Sequence, residues 1–501
     1  MINILLAHAF FLNNDPKQVQ KMRPYPPLGT LYAASALRTH GYAVALFDAM
    51  LADDEDEFAA CLAAQRPALV VLYEDQFHFL NKMCLKHVRD AACRMSALAR
   101  THGATVIAAG ADVSDHPEVY FAHGVQYALL GEADHSLIEL VEVLSGRCTR
   151  AVATIAGLAL PDPGAPQGVR RTTARGPERQ PDVFPVPAWD LLDVERYRTA
   201  WRQAHGYFSL NMVSTRGCPF HCNWCAKPIW GQRYAMRSPA SVAEEMALLK
   251  RTLAPDHLWF ADDIFGLRPQ WVAEFAHEVE YRHAAIPFTI QSRVDLMTEQ
   301  AVTGLARAGC TEVWLGVESG SQKILDAMDK GTQADHIPLA RERLRQAGIK
   351  ACFFLQFGYP GETFDDIMAT VQLVRDTLPD DIGVSVSYPL PGTKFYAMVQ
   401  NQLGPKDHWE ESNDLAMMFQ GTYQTPFYRT LHALVHRDLE LRHWLQTQSV
   451  PTTDVLNALD RLHHDWFTLG QLETQYRSVN PTTIAKPYNR VDAPDLSKGW
   501  N

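Results

Sequence analysis

Between residues 207 and 393, short apolar runs alternate six times with helical patterns. A chain patterned in this way is driven toward a parallel sheet, because each strand reaches its neighbour through a helix that packs back on the sheet. The strand candidates are 208–213, 257–260, 288–292, 312–317, 351–357 and 383–388, with helical stretches such as 239–252, 268–283, 298–308 and 335–347. Six such units predict an open, partial TIM-type (β/α)6 barrel, in which function gathers at the carboxyl ends of the strands. Residues 1–145 carry a second, shorter alternation: strands over 3–7, 43–47, 68–72 and 104–108, and helices over 29–40 and 81–102. This predicts a doubly wound, Rossmann-like α/β domain whose ligands lie beyond the carboxyl ends of its strands. Residues 146–206 are rich in Pro, Gly and Arg and read as a connector, and 394–501 read as a C-terminal helical extension ending in a polar, Pro-containing tail without fixed structure.

Composition narrows the function classes. With 501 residues, 47% apolar and 21% charged, the chain is that of a globular protein of two or three domains. No run reaches the roughly 18 apolar residues of a membrane span, and the opening residues Met1 to Ala7 read as a strand rather than a signal peptide, which points to the cytoplasm. The net charge of -11 argues against a nucleic-acid groove, and nine cysteines in that compartment are expected as thiols.

Three of those cysteines, Cys218, Cys222 and Cys225, fall within the segment from Arg216 to Ala226. Thiolates this close together on one loop can converge on iron–sulfur, zinc or copper. A closed zinc site wants four ligands, and neither a fourth Cys nor a suitably spaced His follows. An iron–sulfur cluster with one open corner is the better reading. By placement, the later strands present Asp262-Asp263, Gln291-Ser292-Arg293, Glu318-Ser319-Gly320, Gly358 to Thr363 and Pro389 to Thr393 at the same barrel mouth. Each has a purely structural alternative: Asp262 and Asp263 as helix caps, Arg293 and Glu318 as an ion pair across the mouth, and Gly358 to Thr363 as a turn with an N-cap.

The spacing Cys-x3-Cys-x2-Cys, with Trp224 just before the last Cys, resembles the signature of the radical S-adenosylmethionine (radical SAM) superfamily. The likeness extends over the barrel through Gly316-Val317-Glu318-Ser319-Gly320-Ser321 and Phe357 to Thr363. It implies a four-iron four-sulfur (4Fe-4S) cluster on Cys218, Cys222 and Cys225 whose open iron binds S-adenosylmethionine, with one-electron cleavage to methionine and a 5'-deoxyadenosyl radical. It further implies Asp262 and Asp263 at the amino group, Ser292 and Arg293 at carboxylate or ribose, Glu318 and Ser319 at ribose or amino group, and Trp224 shielding the cluster or packing on adenine. A one-electron donor such as flavodoxin or ferredoxin and a small-molecule substrate are the partners implied.

A doubly wound domain ahead of such a barrel is similar to the cobalamin-binding class of this superfamily. Three stretches carry that comparison, Pro26 to Tyr32, Gly110 to Pro117 and Gly131-Glu132-Ala133-Asp134, and the cobalamin contacts it implies are Gly29, Tyr73, Gly110, Gly131 and Glu132. Pro185 to Leu192 resembles the segment that leads into the radical domain of that class. The Asp-x-His-x-x-Gly motif that supplies a lower ligand to cobalt elsewhere is absent, so cobalamin is expected without a histidine from the protein, His78 included. The resemblance implies methyl transfer to an unactivated carbon. The alternatives are a non-methylating radical enzyme (cyclisation, rearrangement or oxidation) and a cluster- or cobalamin-bearing sensor or carrier. No acid–base catalytic residue and no substrate is legible. Cys310 and Cys352 are expected at the barrel bottom, and the i,i+4 pair His432 and His436 reads as a helix face.

Overall fold

The computed structural model describes residues 3–83, 85–403, 415–447, 453–479 and 481–482. The polar tail therefore lies outside the described residues.

The first sheet holds β1 (Asn3–Ala7), β2 (Ala43–Phe47), β3 (Leu69–Tyr73), β4 (Thr105–Ala109), β5 (Tyr127–Leu129), β6 (Leu158–Pro161) and β7 (Val169–Arg171) in the order β2-β1-β3-β4-β5-β6-β7. The first five run parallel, and their two apolar faces read as continuous Val, Leu, Ile and Ala because helices cover both sides. β6 and β7 add antiparallel, so the sheet continues to Arg171, well into the stretch expected as a linker from 146. Their short runs, one after Gly157 and one after Gly168, lack the length and alternation that announce a strand. The connector also contains a 12-residue helix, Val194–His205, that buries Tyr197 and Trp201. The helix expected over 81–102 is two, Phe79–Lys82 and Lys86–Thr101, separated where Leu85 is extended and buried.

The second sheet is the expected open barrel. Its strands are β8 (Ser209–Met212), β11 (His257–Phe260), β12 (Phe288–Ser292), β13 (Cys310–Glu318), β14 (Lys350–Phe357) and β15 (Asp381–Val386), all parallel and neighbouring in chain order. Its outer face, including Leu210, Leu258, Ile290, Val313 and Phe353, joins the main apolar core beneath the helices. Cys310 and Cys352 lie buried in the amino-terminal halves of their strands, as expected of residues at the bottom. A short antiparallel hairpin, β9 (Thr215–Gly217) and β10 (Tyr234–Met236), stands between β8 and the next barrel helix, Pro239–Thr252.

The open side of the barrel is covered from the first domain. Trp201 Nε1 donates to the Pro24 carbonyl at 2.6 Å, Asn211 Nδ2 donates to the Pro26 carbonyl at 3.0 Å, and Tyr25 Oη lies 3.2 Å from Ser209 Oγ. Beyond the barrel, helices Thr425–Thr447 and Thr453–Gln471 pack on one another around Asp438, which takes Arg375, Arg442 and Trp466 Nε1. No helix of the described residues is long and apolar enough to cross a membrane.

Candidate functional site: a cysteine loop at the barrel mouth

The three cysteines sit on the connection of the β9–β10 hairpin, so two paired strands hold both ends of their loop. Gly217, at φ +81°, is required there: a Cβ would come within 2.3 Å of the Arg233 carbonyl. Asp262, two residues past β11, is buried and fastens the base of the hairpin. Its carboxylate accepts Ser214 N at 2.8 Å, Thr215 N at 2.9 Å and Ser214 Oγ at 2.5 Å. Desolvation pushes its carboxyl up to about 6 against those hydrogen bonds.

Inside the loop, Phe220 lies under the Arg293 guanidinium, 3.8 Å from the ring centre. Asn223 ties the loop to the end of helix Gln322–Ala327 and to the loop after β14: its N–H donates to the Met328 carbonyl at 3.0 Å, its Nδ2 to the Ala327 carbonyl at 2.7 Å, and its Oδ1 accepts Tyr359 Oη at 2.9 Å. Trp224 packs with Tyr359 and Phe395, and its buried Nε1 has no partner. Lys227 Nζ donates back to the Phe220 carbonyl.

All three cysteines are free thiols of intermediate burial. Burial raises the Cys218 thiol and pushes Cys225 up to about 12, with the neighbouring sulfurs and Asp263 acting in the same direction on Cys225. Among the described residues, no three His, Cys, Asp or Glu side chains gather tightly enough for a single metal ion. Three half-buried thiols on one loop suit a larger group, a cluster whose ligands each take a different iron.

The other strand ends divide into two sets. Arg293 donates Nη1 to the Lys330 carbonyl at 2.9 Å and Nη2 to Thr332 Oγ1 at 3.1 Å, and pairs with Asp295 at 2.8 Å. Glu318, at φ +64° beyond a register shift in β13, meets Lys330 Nζ at 2.8 Å, with both side chains under 10% exposed. The Lys330 ammonium is held above its ordinary value by Glu318 and Cys222, which outweigh desolvation. Arg293, Glu318, Lys330 and the cysteine loop therefore form one charged group at the mouth. Ser292 and Ser319 face elsewhere, and Asp263, though within electrostatic reach of Cys218 and Cys225, is tied to the first domain. Ser292 Oγ donates to the Phe265 carbonyl, Ser319 Oγ faces Thr370 Oγ1 at 3.1 Å, and Asp263 pairs with Lys82 of the first domain at 2.5 Å.

On the first-domain side, Gly29 N and Leu28 N donate to the Asp75 carboxylate at 2.9 and 3.1 Å, and a Cβ on Gly29 would meet Gln76 N at 2.9 Å. The Tyr73 hydroxyl accepts Gln76 Nε2 at 3.0 Å. Gly110 and Gly131 have positive φ at the ends of β4 and β5, and Gly131 N donates to Ser114 Oγ at 3.0 Å. Glu132 is buried against the barrel, accepting Arg216 Nη1 at 2.5 Å and Trp230 Nε1 at 3.1 Å. His78 packs edge-on to Phe10 with its buried Nδ1 unpartnered, as is Asn81 Oδ1. Positively twisted glycines beside orphaned polar atoms on the carboxyl-end loops suit a bound cofactor. Gly29, Tyr73 and Glu132 are engaged in folding contacts. Sequence reasoning missed Arg216, Asn223, Trp230 and Lys330; the first three lie inside or just beyond the cysteine motif, and Lys330 carries no motif at all.

A doubly wound domain is thus joined to an open parallel barrel with a cysteine loop at its mouth. Residues 212–374, most of the second domain, match the family model described as the radical SAM superfamily. The chain is 27% identical over 303 residues to an uncharacterized methyltransferase of Pyrococcus horikoshii, an alignment covering 60% of this chain and 64% of that protein. It is 25% identical over 401 residues to the anaerobic magnesium-protoporphyrin IX monomethyl ester cyclase of Rubrivivax gelatinosus, covering 76% and 67%. The alignments thus span about two thirds of the length of these two relatives. In fold it is similar to the radical S-adenosylmethionine methyltransferase TsrM of Kitasatospora setae, solved with cobalamin and a [4Fe-4S] cluster (TM-score 0.63, 21% identity, 77% of this chain and 72% of that one). It is also similar to the cobalamin-dependent radical enzyme OxsB, solved with aqua-cobalamin (TM-score 0.68, 15% identity, 95% and 80%).

Proposed function

We propose that this protein is a cobalamin-dependent radical SAM methyltransferase acting on a small molecule at an unactivated carbon. The observation that carries the proposal is the cysteine loop itself. Three free thiols are presented at the carboxyl end of an open parallel barrel, on a loop pinned by Asp262, Asn223 and Arg293 and abutting the strand-end loops of a doubly wound domain. When bound, the cluster supplies the electron that cleaves S-adenosylmethionine and cobalamin supplies the methyl carrier. Cys218, Cys222 and Cys225 hold the cluster. The Glu318–Lys330 pair offers an acceptor for an ammonium and a donor for a carboxylate, the two charged groups of the amino-acid end of S-adenosylmethionine. Arg293 positions Lys330 through its backbone carbonyl. Gly110, Gly131 and the His78 loop would hold cobalamin. A one-electron donor such as flavodoxin or ferredoxin serves the reduced state, in the cytoplasm.

A second reading is favoured by one observation: among the relatives named, the cyclase matches over the longest stretch. It predicts radical ring formation rather than methylation. Anaerobic reconstitution with iron, sulfide and cobalamin, followed by reduction in the presence of methyl-labelled S-adenosylmethionine and cell extract, separates the two. Methylation transfers label to product, whereas cyclisation yields 5'-deoxyadenosine and an unlabelled product. Absence of 5'-deoxyadenosine from cluster-replete protein overturns both.

A further inference from the structure

Alternation along the barrel strands leaves a second face, turned away from the helices and into the lumen. Its members, Asn211, Trp259, Trp314, Phe354 and Gln356, belong to none of the apolar core clusters, while their strand neighbours Leu210, Leu258, Val313, Phe353 and Leu355 do. Trp314 and Phe354 stack at 4.8 Å with 28° between their planes, over Gly383, where a Cβ would meet both rings within 3.3 Å. Trp259, Trp314 and Phe354 remain partly exposed although they line the inside of a barrel.

The floor beneath them is closed by hydrogen bonds. Tyr25 Oη, Ser209 Oγ, His257 and Thr289 Oγ1 form one hydrogen-bonded chain, with 2.9 Å on either side of the imidazole. Burial lowers His257 to about 4, so it is uncharged at neutral pH. Glu312 and Asp381 both lie beside Cys352 at that level, and Glu312 accepts Trp314 Nε1 at 2.9 Å. Above it the lumen face carries the amides and rings of Asn211, Trp259, Phe354 and Gln356.

Two of those amides are incomplete. Asn211 commits Nδ2 to the Pro26 carbonyl, which leaves Oδ1 as an acceptor, buried and without a donor; Gln356 Oε1 is likewise buried without one. A buried acceptor without a donor is costly and rare in a folded protein, and a ligand that brings a donor removes the cost. We propose that the lumen binds the substrate through a flat heteroaromatic group bearing a ring N–H, stacked on the Trp259, Trp314 and Phe354 rings and donating to Gln356 Oε1. This inference rests on the enzyme reading above for the statement that the occupant is the substrate. The recognition chemistry rests on the lumen alone.

The test is anaerobic titration of the full-length, cluster-reconstituted protein with indole and with benzothiophene, its close isostere lacking the N–H, followed by isothermal titration calorimetry. Indole is expected to saturate, with benzothiophene about tenfold weaker, the value of one hydrogen bond. Gln356→Met is expected to lower indole to the benzothiophene level and to leave benzothiophene unchanged. Equal binding of the two compounds to the wild type overturns the proposal whether or not the variant folds, as do absence of saturable binding and tighter binding of benzoate or benzylamine. Production of 5'-deoxyadenosine by the same preparation is scored separately. Its loss with indole binding intact refutes the radical chemistry and leaves the lumen chemistry standing, and the converse refutes the lumen chemistry alone.

Discussion

Arg216 and Glu132 meet at 2.5 Å across the boundary between the two domains, with side chains 5% and 3% exposed. Asp134 adds a second carboxylate at 3.1 Å, and the Phe184 ring lies 3.9 Å from the guanidinium carbon. Arg216 is two residues before Cys218. The pairing therefore joins the start of the cysteine loop to the loop after β5, and an excess of buried negative charge is held beside the site. Replacing Arg216 with Gln leaves two buried carboxylates without a cation. The expected loss is about 3 to 5 kcal/mol of stability, measurable by denaturant unfolding. Glu132→Gln, which keeps Asp134 as partner, should cost less, and equal effects would contradict this account.

The thiols make few contacts that the fold depends on. Changing Cys218, Cys222 and Cys225 together to Ala should preserve the circular dichroism spectrum while abolishing the brown colour and the bound iron and sulfide after reconstitution. Full iron and sulfide in the triple variant would remove the cluster assignment.

At the mouth, Lys330→Ala leaves Glu318 buried without its cation and removes a charged donor from the proposed S-adenosylmethionine site. Binding measured by anaerobic calorimetry should weaken by about 1.5 to 3 kcal/mol, the value of a hydrogen bond to a charged group. Asp263→Ala, whose carboxylate is paired with Lys82, should leave that affinity close to wild type.

Stability should fall as pH rises from about 4.5 to about 8 through Glu362, which is fully buried and pushed up to about 8 by desolvation. Below 4.5 the carboxyl is protonated in both states. Between the two values the unfolded chain releases its proton while the folded chain keeps it, so rising pH favours unfolding. Glu362→Gln should flatten the fall in Tm over this window. Glu74, raised to about 7 by burial, acts in the same direction and leaves a residual slope.

The barrel was legible because its strands are apolar on the helix side and its helices begin at recognisable caps, as at Ser238 and Thr363. The cysteine loop was legible because its chemistry demands that spacing. Asp262 was correctly placed at a strand end, yet the structure shows its oxygens occupied by Ser214 and Thr215, a partnership set by tertiary packing that leaves no local pattern. The same holds for Lys330, whose importance comes from a contact with Glu318 at a bulge. β6 and β7 were missed because so few residues carry too little periodicity to compete with a Pro- and Gly-rich surrounding.

The residues around Tyr25 have a consequence for how this architecture is inherited. They belong by sequence to the first domain, yet they complete the wall and floor of the second, through Ser209, Asn211 and Trp201. The two halves are thus not interchangeable modules. A chimera that borrows the first domain of a relative must import its counterpart of the 22–27 segment together with the strand it seals, and a chain truncated to begin at β8 would expose a polar, unfinished lumen to solvent.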